Sequence, residues 1–185
     1  MQAKNWRQIR METNTALSSM QVLSDQTPQD NKLSMVVFSG DMDKVMAAFI
    51  IATGAAASGM DVTMFFTFWG LKAIQNDSSL TGKGLFGRML GLMNRGGIDT
   101  IGPSRFNFGG MGRWMMKTMM KSKNVASLRE LRDMALELGV KIMPCQMSMD
   151  VLEIGTDKML PQATAPVGVA AFIEEAVHSK TTLFV

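Results

Sequence analysis

Short apolar runs and longer helical patterns alternate along residues 33–185. Residues 33–38 are apolar over the length of a strand, and Ser39, Gly40 and Asp41 follow as a turn. Residues 45–58 are apolar nearly all round, which predicts a buried helix, with Asp41 or Asp43 as its cap and Gly59 as its stop. Residues 62–68 are rich in β-branched and aromatic side chains and predict a second strand, with Trp69 and Gly70 at its carboxyl end. Strand, helix and parallel strand in that order make a right-handed crossover.

Further along, Leu128, Leu131, Ala135 and Leu138 recur at helical spacing across residues 127–138. Ser127 with Glu130 matches a capping box, and Gly139 closes the helix. The chain then enters the apolar run 140–144, passes Cys145, and opens a short helix at Gln146. Residues 167–179 read as a last helix and 181–185 as a last strand, with a weak extra strand at 159–162. These elements predict an α/β fold, a three-layer α/β/α sandwich built on a doubly wound, mainly parallel sheet of about five strands, with a Met-rich helical insertion after the second strand.

At 185 residues, one domain is expected, comprising residues 33–185 with an extension of residues 1–32. Trp6, Ile9, Thr13 and Leu17 could form one side of a short helix in that extension. The stretch from Val45 to Leu71 carries Asp61 as its sole charge and imitates a membrane span. Gly59 and Asp61 divide it into helix and strand, each too short to cross a bilayer. A single cysteine excludes an internal disulfide, and no apolar leader is visible, so a cytoplasmic protein is expected.

The insertion, residues 80–124, changes the electrostatic picture. It holds eight basic residues against the single acid Asp99, a net +7, while the remaining 11 basic and 15 acidic residues give −4. Seven of the 20 methionines also fall there, so the segment pairs positive charge with soft, adaptable side chains. A helical hairpin packed on the domain or in a subunit interface is the simpler reading. A contact with an acidic protein or with lipid headgroups at the inner membrane face is the sharper one. No recognised motif supports nucleic acid as a partner.

Cys145 is the candidate for chemistry. At the carboxyl edge of a strand and before a helix, it is expected to be partly exposed, with a thiol acidified by the helix N-terminus. Ser39, Gly40, Asp41, Trp69 and Gly70 should share that sheet edge as binding or shielding groups, together with Gln146 and Met147. Asp41 also suits a plain capping role. The bland alternative makes Cys145 a small core hydrophobe. A different class of function comes from Cys145, Met147 and Met149, whose thiolate and two thioethers form a soft set suited to Cu(I), although residues two apart on a helix diverge. His178, the single histidine, lies among charged neighbours and reads as helix surface rather than as a partner of the thiol.

Three segments together, Val36-Val37-Phe38-Ser39-Gly40-Asp41 with Met42 to Lys44, Met64-Phe65-Phe66-Thr67-Phe68-Trp69-Gly70 and Pro144-Cys145-Gln146-Met147-Ser148-Met149-Asp150, resemble the DsrE/DsrF-like family. More narrowly, they are similar to its larger, peroxiredoxin-labelled subgroup with a long insertion after the second strand. The resemblance implies a homo-oligomer active in sulfur trafficking, with Cys145 at the position that carries sulfane sulfur as a persulfide. It implies no metal and no redox cofactor. Rhodanese-like, small sulfur-carrier and disulfide reductase proteins are the partners it suggests. The peroxiredoxin label does not imply that activity, since no second cysteine could resolve an oxidised thiol. A non-catalytic scaffold subunit is the remaining alternative.

Overall fold

β1 (Asp30–Val37) leads through α1 (Met42–Ala57) to β2 (Asp61–Phe66), as the alternation predicts. A 3-10 turn, Phe68–Ile74, follows β2. After the insertion come α2 (Met111–Ser122), α3 (Leu128–Glu137), β3 (Lys141–Pro144), α4 (Gln146–Val151), α5 (Val169–Val177) and β4 (Ser179–Phe184). The computed structural model describes residues 30–76 and 97–185. The expected helix face from Trp6 to Leu17 and the first part of the insertion, residues 80–96, lie outside the described residues.

The sheet order is β3-β2-β1-β4, and all four strands are parallel. The chain winds outward from β1 to β3, then crosses back to place β4 on the other side of β1. That reversal puts helices on both faces. α1 and α3 pack on one face, where Phe49, Ala52, Leu131 and Ala135 meet Met35, Met64, Phe66 and Ile142. α5 covers the other, where Phe172 meets Phe65 and Met143. Four strands replace the expected five among the described residues. Around 159–162 a single antiparallel bridge joins Met159 to Gln75, the extended residue that ends the 3-10 turn.

Local sequence signals translate into local structure with small shifts. β1 begins at Asp30 rather than at residue 33, and β2 stops at Phe66 because Phe68 adopts a left-handed backbone, φ 46°. The capping box of α3 is present: the Glu130 amide donates to Ser127 Oγ (3.2 Å), and the Ser127 amide donates to the Glu130 carboxylate (2.7 Å). Asp41 occupies the cap position of α1 without capping it; its carboxylate accepts from the Ser39 hydroxyl and the Lys44 ammonium, each at 3.0 Å. Asp43 instead accepts from the Ser104 amide and hydroxyl, both at 2.8 Å, tying the insertion to α1. The membrane-like stretch resolves into most of α1, β2 and the start of the 3-10 turn, and no helix among the described residues is long and apolar enough to cross a membrane.

Two devices hold the layers in place. At the carboxyl edge, the Gly70 amide donates to the Phe38 carbonyl (2.9 Å) and the Thr67 amide to the Val37 carbonyl (3.1 Å), so the turn after β2 presses on the end of β1. A Cβ on Gly70 would lie 2.1 Å from the Val37 carbonyl oxygen, and one on Gly40 would lie 2.6 Å from that of Trp69. Near the opposite end, the Glu175 carboxylate of α5 accepts from both Lys32 of β1 and Lys141 of β3, spanning β2. Those two bonds, from Lys141 first and Lys32 second, hold its pKa below the ordinary range.

Gly70→Ala should therefore lower stability by about 1–3 kcal/mol, read from the urea midpoint, through forced separation of two backbones. A neutral effect would mean that the edge is not closely packed. Because the folded Glu175 carboxyl is the more acidic one, its contribution is present above the ordinary carboxylate range and lost as pH falls below that range and through the lowered pKa of the folded state. Glu175→Gln should remove roughly 1 kcal/mol of the stability that the natural chain loses on acidification from about pH 6 to pH 3.

Candidate functional site

Side chains on a strand alternate between faces, and this decides the environment of the thiol. In β3, Ile142 enters the core under α1 and α3, while Met143 enters the one under α5. Cys145 stays extended (φ −79°, ψ 115°) and donates its amide to the Phe66 carbonyl at 2.9 Å, so it extends the ladder by one step. Two residues after Met143, it faces α5.

The thiol is therefore packed rather than displayed. Cys145 is 4% exposed and clusters with Phe65, Met143 and Phe172, with Val167 and Ala171 at the margin. Phe65 and Phe172 stack at 5.0 Å between centroids and close the cluster from the helix side. The free edge of β3 is closed as well. The Thr164 amide donates to Ile142, Val167 to Pro144 and Gln146 to Val167, each at 2.9 Å. The expectation of a partly exposed thiol is thus corrected: strand parity and an edge segment enclose it. The helix it precedes has only six residues, and the thiol makes no capping bond to that helix.

The other nominated residues separate into three environments. Gln146 is exposed and donates to the Asp150 carboxylate (2.7 Å), and Met147 is 61% exposed. Met149 is buried in the core under α1 and α3, on the opposite side of the sheet from Cys145. The three sulfurs of the Cu(I) alternative therefore diverge, and no cluster of three or more His, Cys, Asp or Glu side chains able to hold a metal occurs among the described residues. Ser148, fully buried, shares a 2.7 Å hydrogen bond with Thr67 and anchors α4 to the end of β2. His178 stands exposed at the end of α5.

Ser39, Gly40, Asp41 and Trp69 do come together. They line a cleft of about 540 Å³ at the carboxyl ends of β1 and β2, joined by Lys44, Lys72 and, from the insertion, Gly102 and Asn107. Gly70 lies behind it, buried against Val37, and Cys145, Gln146 and Met147 are not part of its lining. The sheet edge thus holds two separate features, an enclosed thiol at β3 and an open polar cleft at β1 and β2. The left-handed Phe68 sits between them, a conformation costing on the order of 1–3 kcal/mol, with its ring 5.6 Å from that of Phe38. Sequence reading missed Lys44 and Lys72. Their signal was available, since they are the cations that bracket the long apolar stretch and so fall at the ends of buried elements.

The insertion forms the far wall of this cleft and then α2. Along α2, Gly112, Met116 and Met120 turn inward, while Met111, Trp114, Met115 and Met119 are exposed, with Arg113, Lys117 and Lys121 beside them. A more apolar cavity of about 780 Å³ lies between α2 and α3, lined by Met42, Ile101, Met120 and Leu128. None of the nominated site residues borders it.

Residues 29–184 match the DsrE/DsrF/DrsH-like family. Among curated sequences, the chain is 42% identical to the uncharacterised protein YrkE of Bacillus subtilis over 86% of its own length and 99% of that protein. It is 33% identical to the sulfur carrier protein DsrE2 of Allochromatium vinosum over 85% of its length and 99% of that protein. The crystal structure of the ychN protein of E. coli aligns with a TM-score of 0.49 at 9% identity, covering 83% of this chain and 98% of that one. The match to the family spans the sheet, the insertion and both features of the carboxyl edge, and the chain belongs to the DsrE/DsrF/DrsH-like family.

Proposed function

We propose that this protein is a sulfur carrier that holds sulfane sulfur on Cys145 as a persulfide and passes it to an acceptor thiol. The observation that carries the reading is the likeness to a sulfur carrier protein along almost the whole chain, in a sequence whose one cysteine ends a sheet strand.

The transfer balances without an outside oxidant or reductant. The Cys145 thiolate attacks the terminal sulfur of a donor persulfide, a new S–S bond forms, and the donor's own S–S bond breaks with the electron pair leaving on the donor thiolate. An acceptor thiolate then attacks the terminal sulfur of the Cys145 persulfide and releases Cys145 as thiolate. In-line attack needs an approach path, which the packed arrangement of Phe65, Met143 and Phe172 does not offer. Loading therefore requires a local opening in which α5 moves away from Phe65 and Met143, a transition far smaller than unfolding. Burial also protects the persulfide between donor and acceptor, since thiolate character and access together set how readily sulfur is oxidised.

Intact mass after incubation with thiosulfate, polysulfide or a persulfidated protein should rise by about 32 Da, one sulfur, in the natural chain and not in Cys145→Ser, and an acceptor thiol should reverse the gain. Absence of the adduct with every donor would overturn the proposal, as would an equal gain in Cys145→Ser. In the resting protein, alkylation of Cys145 should run at least about 100-fold slower than in urea, as protection by a closed cover requires. Equal rates would contradict the enclosed geometry.

A further inference from the structure

The cleft at β1 and β2 contains a cation that forms no ion pair among the described residues. Lys72 lies three residues after Trp69, so the 3-10 turn brings both onto one side and into the cleft. Lys72 is half-buried and, among the described residues, makes no hydrogen bond or ion pair. Asp41 is close enough to favour its charged form, but the Asp41 carboxylate already accepts from Ser39 and Lys44. Arg113, whose guanidinium donates to the Thr100 carbonyl at 2.7 Å, adds positive charge nearby. Burial first, and Arg113 second, lower the Lys72 pKa. A half-buried ammonium beside a guanidinium is costly alone and favourable once an anion arrives.

The same cleft offers neutral donors and an aromatic wall. No hydrogen bond among the described residues uses the Asn107 side-chain amide, which stands against Gly102 at the rim. Trp69 is 41% exposed and lines the cleft with Phe38. A volume of about 540 Å³ exceeds the needs of a bare ion and falls within the range of small-molecule sites.

We propose that this cleft binds a small molecule bearing an oxyanion of the phosphate or sulfo class, with Lys72 as its charge partner, Asn107 as a donor and Trp69 against the rest of the ligand. The site is separate from Cys145 and stands whether or not that thiol carries sulfur. The oxyanion could be free in solution or the head of an organic molecule, and the two sources differ in whether the Trp69 wall is used.

Calorimetric titration of the full chain at low ionic strength with inorganic phosphate, thiosulfate and adenosine monophosphate tests this. At least one probe should bind saturably at one per chain, with the nucleotide tighter than phosphate if the organic source is right and no tighter if the ion alone is read. Lys72→Met should weaken binding at least about tenfold while keeping or raising the thermal midpoint, since it removes an uncompensated charge. Lys123→Met, an exposed basic position beyond the cleft, should bind as the natural chain does. In the natural chain, binding should shift the indole N–H resonance of Trp69 and not that of Trp114. No saturable binding of any probe, undiminished binding by Lys72→Met, equal losses in the two lysine variants, or a shift confined to Trp114 would each overturn the site.

Discussion

The pleat of the central sheet governs where every candidate group goes. β2 is buried on both faces, with Met64 and Phe66 under α1 and α3 and Phe65 under α5, and β3 repeats the pattern with Ile142 and Met143. Once Met143 is committed to the α5 side, Cys145 must follow it, because one extended residue separates them. The enclosed state of the thiol is thus a consequence of core packing. A one-residue slip of β3 would aim the sulfur at the other core and expel Ile142 and Met143 from their places.

That constraint divides the sheet edge. At β1 and β2 the backbones press together through Gly40 and Gly70, and the side chains around them stand open to a polar cleft with excess positive charge. At β3 the edge is sealed by the 164–167 segment and the face by Phe172. Under the proposed carrier role such a division would keep a persulfide out of water while an open surface at the neighbouring strands remains free for ligand recognition. Among the described residues, the reversal of strand order places α5 over the thiol, so in this arrangement the cover of the sulfur rests on a helix of nine residues.

Much of this was legible in the sequence. The capping box at Ser127 and Glu130, the helix after Asp41, the divided apolar stretch and the strand before Cys145 all rest on local chemistry, and each forms, although that helix is buried on one side only and leaves Ile50 and Ile51 exposed. Other features depended on distant partners. Cys145 looked open because its neighbours in sequence describe a strand end, whereas its cover comes from Phe172 and Val167, which only the crossover to β4 brings back. The pairing of Met147 and Met149 with Cys145 failed because a short helix after a strand sends one side chain to solvent and the next into the far core. Lys72 is legible in the sequence only as a cation that brackets the apolar stretch; its place in a cleft with Trp69 and near Arg113 comes from the fold.

The central claim is that sulfur reaches Cys145 only when its α5 cover opens. It is tested most directly by the rate at which a persulfidated donor loads the natural chain and Phe172→Leu, compared where both remain folded. A looser cover should raise the loading rate by about fivefold or more without changing the final stoichiometry. Equal or slower loading in Phe172→Leu would contradict the account, because the thiol would then be reached by a path that the packing of Phe65, Met143 and Phe172 does not control.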